Sequence, residues 1–103
     1  MKFLTFMWFE MAKAAEMAKA SDKVMASLPP GVKMLASYVC QAVPFPGLPP
    51  DAMVGISIAE VDSNEDLAAV SYPLQLAGAV IHRVPVLELP VGGAAEVEKK
   101  YSG

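Results

Sequence analysis

The sequence has a single cysteine and a single histidine, which limits the chemistry that its side chains can carry. Cys40 has no second cysteine with which to form an internal disulfide, and His82 has no companion ligands for a structural zinc site. We therefore expect neither a metal nor a cofactor. An unpaired cysteine is also typical of a reducing compartment, so a cytoplasmic location is expected.

Positive charge is scarce, since 8 Lys and Arg residues stand against 11 Asp and Glu residues and give a formal net charge of −3. Beyond Lys99-Lys100 there is no basic cluster, so nothing offers the patch that binds a phosphate backbone, and a nucleic-acid partner is not expected. No stretch approaches the ~20 apolar residues of a membrane span. The apolar run at residues 3–9 stops at Glu10 and leads into a charged segment, so we do not expect a cleaved signal.

Apolar residues, in contrast, are abundant: they make up 54% of the 103 residues, while charged residues make up 18%. This composition excludes intrinsic disorder, and the length suits one domain of ~100–150 residues. A small chain leaves much of its surface exposed. With a mean hydropathy of +0.40, some of that surface is expected to be covered by a partner.

The pattern of apolar residues and breakers predicts four strands and two helices. The strands are expected at residues 2–9, 32–43, 52–61 and 80–89. Gly55 is expected to mark a bulge or a close backbone approach, and Pro85 places the last strand at a sheet edge or marks a bulge in it. The first helix is expected from Glu10 to about Ser27 and the second from Ser63, its N-cap, to Gly78, with a kink or restart at Pro73. The predicted buried face of the first helix carries Met11, Ala14, Ala18, Ser21, Met25 and Leu28.

The order β-α-β-β-α-β predicts an α+β, ferredoxin-like fold with a four-stranded antiparallel sheet and both helices on one face. We expect the domain to cover residues 1–90 and residues 91–103 to form a mobile or short helical tail. The strands are apolar on both faces, so the sheet face without helices needs a cover of its own. A homodimer packed through that sheet face is the simplest prediction.

Three segments resemble a known superfamily, the small dimeric α+β barrel proteins. They are the opening Met1-Lys2-Phe3-Leu4 with Trp8, the helix start Asp62-Ser63-Asn64-Glu65, and the run Leu74-Gln75-Leu76-Ala77-Gly78 leading into Val84-Pro85-Val86-Leu87. The similarity covers roughly residues 1–90 and is greatest to a family of unassigned function built on that barrel. The resemblance implies a dimer, and relatives in the superfamily include cofactor-independent monooxygenases, isomerase-like enzymes and members without known activity.

His82 is the candidate catalytic residue, because it alone has an ordinary pKa near neutrality. The alternative is a partly buried or edge histidine without a chemical role. Cys40 has no neighbouring cation to activate it, so a buried, inert cysteine is expected. No nucleophile elbow, dinucleotide-binding fingerprint or P-loop is present. Asp62, Asn64 and Asp66 resemble the start of a calcium loop, but helix capping explains them better.

A ligand pocket between the sheet and the helices is a further hypothesis, with Trp8, Tyr38, Phe45 and Met53, together with Met7, as candidate lining residues. The alternative is that these side chains are ordinary core. The loop at residues 44–51 contains four prolines, and it either covers the dimer edge or forms a fixed lid over the pocket. Three functions stay open at this point: binding of a small apolar molecule, cofactor-independent catalysis on such a molecule, or a purely structural dimer.

Overall fold

The computed structural model describes residues 1–102, in which a third helix follows the six predicted elements. The strands are β1 (Lys2–Glu10), β2 (Val32–Val39), β3 (Ala52–Val61) and β4 (Val80–Pro85), and the helices are α1 (Ala14–Ala26), α2 (Asn64–Leu76) and α3 (Ala94–Ser102). The expected count of two helices is therefore corrected to three. The additional helix forms where Ala, Glu and Lys, all good helix formers, dominate the tail. Within residues 1–102, no helix is both long enough and apolar enough to cross a bilayer.

The four strands form one antiparallel sheet in the order β2-β3-β1-β4. The long central strand β1 pairs with β3 from Lys2↔Glu60 to Glu10↔Ala52, and with β4 through residues 3–8. This order and direction of strands are those of the ferredoxin-like arrangement. The fold class predicted from the sequence is thus confirmed for the single chain.

Helices α1 and α2 pack on the same face of the sheet, and the core lies between them and the strands. One cluster joins Met17 and Val24 of α1 to Leu74 of α2 and to Ala79 at the start of β4. A second cluster brings Leu67 and Val70 of α2 against three buried strand residues, Val32, Ala59 and Val61. The opposite face of the sheet carries neither α1 nor α2.

The buried face of α1 differs from the predicted one. Met11 and Met25 are 58% and 47% exposed, whereas Met17 and Val24 are buried. The strand β1 runs to Glu10, and a 3-10 turn at Met11–Lys13 precedes the helix, so α1 begins four residues later than expected. The buried stripe of α1 therefore centres on Met17 and Val24, while Ser21 and Leu28 of the predicted face are partly buried beside it.

The ends of α2 follow the sequence signals closely. The hydroxyl of Ser63 accepts a hydrogen bond from the Asp66 amide at 3.2 Å, which confirms the predicted N-cap. At the other end, Gly78 has φ +112°. The amide of Gly78 donates a hydrogen bond to the Gln75 carbonyl, and the amide of Ala79 donates one to the Leu74 carbonyl. This paired pattern is a Schellman motif, which requires a left-handed residue and therefore favours glycine.

Three other backbone predictions need correction. The helix α2 continues through Pro73, which excludes the restart and leaves the kink as a prediction. The bulge lies in β2 between Met34 and Ala36, while Gly55 keeps a regular register with Met7. The outer strands β2 and β4 are also shorter than expected. After Val39 the chain leaves the sheet toward the proline-rich loop, and β4 ends at Pro85, where the next amide, that of Val86, still donates a hydrogen bond to the Lys2 carbonyl at 2.9 Å. The edge position predicted for β4 is confirmed.

An ion pair ties the segment after β4 to the start of β1. Lys2 Nζ lies 2.8 Å from Glu88 Oε2, and this hydrogen bond lowers the pKa of Glu88 and raises the pKa of Lys2. A lowered carboxyl pKa contributes stability that is present above the ordinary carboxyl pKa and is lost as the pH falls through the lowered value. A raised lysine pKa contributes stability that is lost as the pH rises through the raised value.

We expect the Lys2→Met variant to raise the pKa of Glu88 toward its ordinary value, because the variant removes both the hydrogen bond and the positive charge. A carboxyl NMR titration of Glu88 measures the shift. The control is Lys33→Met, which removes an exposed lysine that makes no such pair. An unchanged Glu88 pKa in the Lys2→Met variant would show that the ion pair does not form in solution.

Candidate functional site

A cavity of about 350 Å³ lies between the sheet and the helices α1 and α2. All four strands contribute to its floor, and its upper walls come from both helices. The helix residues on the walls are Ser21, Val24, Met25, Leu67, Val70 and Leu74. The cavity is within the size range of small-molecule sites, ~300–1,000 Å³.

The small side chains of β3 explain why a cavity exists here. On its helix-facing side this strand presents Gly55, Ser57 and Ala59 in succession, and all three border the cavity. The opposite side of the same strand carries the bulkier Val54, Ile56 and Ile58. Because alternate residues of a strand point to opposite faces, β3 leaves space under the helices and presents its larger side chains on the open face.

A row of polar side chains crosses the otherwise apolar floor of the cavity. In the register of the sheet, Arg83 of β4 lies opposite Thr5 of β1, Thr5 opposite Ser57 of β3, and Ser57 opposite Ser37 of β2. All four residues line the cavity. With neighbouring strands ~4.8 Å apart, the row extends over about 14 Å.

Arg83 is the only arginine of the chain and carries the only positive charge among the cavity-lining residues. Its Nε donates a hydrogen bond to Thr5 Oγ1 at 3.0 Å. Burial lowers the pKa of the Arg83 guanidinium, which nevertheless stays protonated at neutral pH. Among residues 1–102, no acidic group lies within 4.0 Å of this guanidinium.

A second, larger groove of about 450 Å³ lies between α1 and α2, where its lining includes Lys23, Ser27, Pro29 and Leu76. It shares only Val24 with the first cavity and does not reach the polar row of the sheet. Specific small-molecule sites combine apolar walls with a few convergent polar groups. The cavity on the sheet brings four polar side chains together in one row beneath apolar walls and is therefore the candidate site.

His82 lies away from this cavity. It is exposed and stands opposite Phe6 on the sheet face without α1 and α2, whereas its neighbour Arg83 faces the helices. A catalytic His82 would have to act on a molecule bound at that open face. The catalytic role of His82 stays a prediction.

The four candidate ligand-binding residues are not brought together at the cavity, and none of them lines it. Trp8 is opposite Val54 and Val80 on the open sheet face, and Tyr38 is 63% exposed. Met53 pairs with Phe9 beyond the end of the cavity. Trp8, Tyr38 and Phe45 lie at the open face and Met53 lies beyond the end of the cavity, so the role of these four residues in binding stays a prediction.

Phe45 shows where the proline-rich loop lies. Its ring packs edge to face on Phe6, with ring centroids 5.7 Å apart. Phe6 belongs to the open face of the sheet, and no residue of the loop at 44–51 lines the helix-side cavity. The loop therefore covers part of the open sheet face and does not close the cavity.

Two other sequence candidates have a structural explanation. Asp66 forms part of the N-terminal cap of α2, because its backbone amide donates a hydrogen bond to the Ser63 hydroxyl, as the capping hypothesis predicted. Cys40 is only partly buried, which corrects the expectation of a buried cysteine, and its amide extends the β2–β3 pairing by a bond to the Val54 carbonyl at 2.8 Å.

Comparisons with known proteins identify no family. No family model matches the sequence, and no curated protein matches it. Among solved structures, the chain is similar to a candidate antibiotic biosynthesis monooxygenase from Caulobacter crescentus, with 16% identity, a TM-score of 0.43, and 84% of this chain and 91% of that chain covered.

Two further solved structures are similar over comparable lengths. One is a protein of unknown function from Nitrosomonas europaea, with 14% identity, a TM-score of 0.44, and 86% of this chain and 94% of that chain covered. The other is a DUF3240 family protein from Shewanella baltica, with 8% identity, a TM-score of 0.43, and 86% and 93% covered. The fold assignment rests on the strand order of this chain, and none of these likenesses assigns an activity.

Arg83 and the three hydroxyl residues were missed when the sequence was considered alone. The available signal was polarity within strands that are otherwise apolar: Thr5 is the only polar residue between Phe3 and Phe9, and Ser57 lies between two isoleucines. A polar residue in a strand that is covered on both faces needs a partner or a ligand. The alternation of β4 would then have assigned Arg83 and His82 to opposite faces.

Proposed function

We propose that this protein is a homodimer that binds a small, mainly apolar organic molecule in the cavity between its sheet and its helices. The observation that carries the proposal is a cavity of about 350 Å³ whose walls are apolar and whose floor contains a few aligned polar groups. A purely structural dimer would be expected to fill this space, since protein interiors are close-packed.

The dimer part of the proposal rests on the open face of the sheet. Its side chains are largely apolar and include Leu4, Phe6, Trp8, Ile56, Ile58, Val80 and Val84. Val80 and Val84 are 40% and 45% exposed, and the segment after β4 adds the exposed Leu87 and Leu89. A contiguous apolar surface of this kind favours association, and a second copy would offer the same surface about a two-fold axis.

The proposal places the protein in the cytoplasm, where the lone Cys40 would stay reduced. Catalysis is not part of it. The candidate acid or base, His82, and the candidate cavity lie on opposite faces of the sheet. Binding of a ligand needs only the cavity and its polar row.

The test of the proposal is binding of a neutral apolar dye, N-phenyl-1-naphthylamine, followed by its fluorescence, with native mass spectrometry to find any molecule retained from the host. We expect the dye to bind the wild-type protein. We expect a Gly55→Leu variant to bind it at least about tenfold more weakly, because the new side chain would occupy the cavity. The backbone accepts the change, since an added Cβ would meet only Tyr38 O at 3.6 Å and Met7 O at 3.9 Å.

The matched control is Gly55→Ala, which adds a single methyl group at the same position and is expected to change dye affinity little. Circular dichroism of both variants checks that the fold is retained. Undiminished dye binding by a folded Gly55→Leu variant would contradict the proposal, because the dye would then occupy another surface.

A further inference from the structure

The guanidinium of Arg83 is a partly buried charge whose only hydrogen bond within residues 1–102 joins Nε to Thr5 Oγ1. The N–H groups of the two Nη atoms thus make no hydrogen bond with the described residues and can donate to a ligand at the border of the cavity. Placing a charge out of water without a counter-charge is costly, and a protein usually provides an acidic partner. Here no acidic side chain lies within 4.0 Å among the described residues.

The hydroxyl groups beside Arg83 can also donate hydrogen bonds to a ligand. Thr5 Oγ1 accepts from Arg83, so its own proton is available to another acceptor. The hydroxyl of Ser57 makes no hydrogen bond with residues 1–102 and is next in the row. A guanidinium with two adjacent hydroxyl donors is an arrangement that matches an anionic oxygen pair.

We infer that the ligand of this cavity is an amphiphilic monocarboxylate, whose carboxylate binds Arg83 and the neighbouring hydroxyls and whose apolar body lies against the helices. This inference rests on the proposed function and specifies the class of ligand. A carboxylate carries a single charge, which one guanidinium neutralises. A phosphate group carries up to about two charges, and the cavity lining contains no second cation for it.

The apolar part of the ligand follows from the rest of the lining. Next to the polar row lie Met7 and Ile81 on one side and Phe3 with Ala59 on the other. Val70 and Leu74 of α2 border the cavity from above. A hydrocarbon chain or ring would replace water against these side chains, and this burial of apolar surface favours binding.

The experiment compares two ligands that share a chain and differ in the head group, decanoate and decan-1-ol, as competitors of N-phenyl-1-naphthylamine at neutral pH. We expect decanoate to bind wild-type protein at least about tenfold more tightly than decanol. In an Arg83→Met variant, decanoate affinity is expected to fall by about ten- to a hundredfold, the range for a lost charged hydrogen-bond partner, while decanol affinity stays within about twofold.

The charge control is Lys33→Met, which removes one positive charge outside the cavity lining and is expected to leave both affinities unchanged. Retained decanol binding shows that the cavity of the Arg83→Met variant is intact. An Arg83→Lys variant, which keeps the charge, provides a second measurement and is expected to give intermediate decanoate affinity.

The outcomes separate the inference from the function on which it rests. If decanoate and decanol bind equally well to wild-type protein, or if folded Arg83→Met keeps its decanoate affinity, the carboxylate inference is overturned and the binding function stands. If the dye and both ligands fail to bind, the binding function and the inference are both overturned.

Discussion

A Val84→Glu variant is expected to be monomeric at protein concentrations where the wild-type chain is a dimer. Val84 lies opposite Leu4 on the open face of the sheet and is 45% exposed in the single chain. The monomer can hold a glutamate there with its carboxylate in water. In a dimer joined through this face, both carboxylates would be buried against mainly apolar side chains.

The expected size of the effect follows from the cost of an unpaired buried charge, several kcal/mol for each ion. Two such charges in a symmetric dimer should weaken association by at least about a thousandfold, since ~1.4 kcal/mol corresponds to a factor of ten. Light scattering at micromolar concentration measures the change, with a wild-type mass about twice 10.9 kDa. A wild-type monomer would contradict the proposed dimer directly.

The matched control for this variant is Leu76→Glu. Leu76 is 73% exposed at the end of α2 and lies on the side of the helices, so the variant adds the same charge away from the open sheet face. We expect it to dimerise as the wild-type chain does. Dissociation of the control to the same extent would mean that net charge, and not the position of the charge, governs association.

Local signals in the sequence were sufficient to predict the order of the elements. Ser63 and Gly78 delimit α2 by chemistry that acts within a few residues, a side-chain cap at one end and a left-handed residue at the other. Pro85 identified an edge strand because it has no amide to donate. These effects need no knowledge of the tertiary packing, and for this reason they can be predicted from the sequence.

The orientation of α1 could not be predicted in the same way. Methionines occur at positions 11, 17 and 25, and alanines lie on every side of this helix, so several apolar stripes compete. Tertiary packing against Leu74 and Ala79 selects the stripe that contains Met17 and Val24. When several apolar stripes overlap on one helix, the elements that pack against it decide which stripe is buried.

The residues that line the candidate site could also be predicted only in part from the sequence. The location of a pocket, between sheet and helices, agrees with the cavity that the structure contains. The residues chosen for it included Trp8 and Tyr38, which lie on the opposite face. When both faces of a sheet are apolar, alternation separates the residues into two sets but does not reveal which set meets the helices.

The orientation of α1 leads to the largest effect on stability that we expect from one substitution. Met17 is 1% exposed and packs in the cluster that joins α1 to Leu74 and Ala79. Truncating a buried methionine to alanine removes its contacts and leaves a cavity, at a cost of about 2–5 kcal/mol. Because small domains are stable by only about 5–15 kcal/mol, Met17→Ala should lower the urea midpoint strongly.

Met25→Ala is the matched control, since it makes the same chemical change on the same helix at a side chain that is 47% exposed. Alanine and methionine are both good helix formers, so helix propensity hardly separates the two variants. We expect the control to lower the free energy of unfolding by less than about 1 kcal/mol. Urea denaturation of both variants at one protein concentration measures the difference, because dimerisation would make stability depend on concentration. If Met25→Ala proved the more damaging change, α1 would bury the predicted face that contains Met25. Different residues of α1 would then line the cavity.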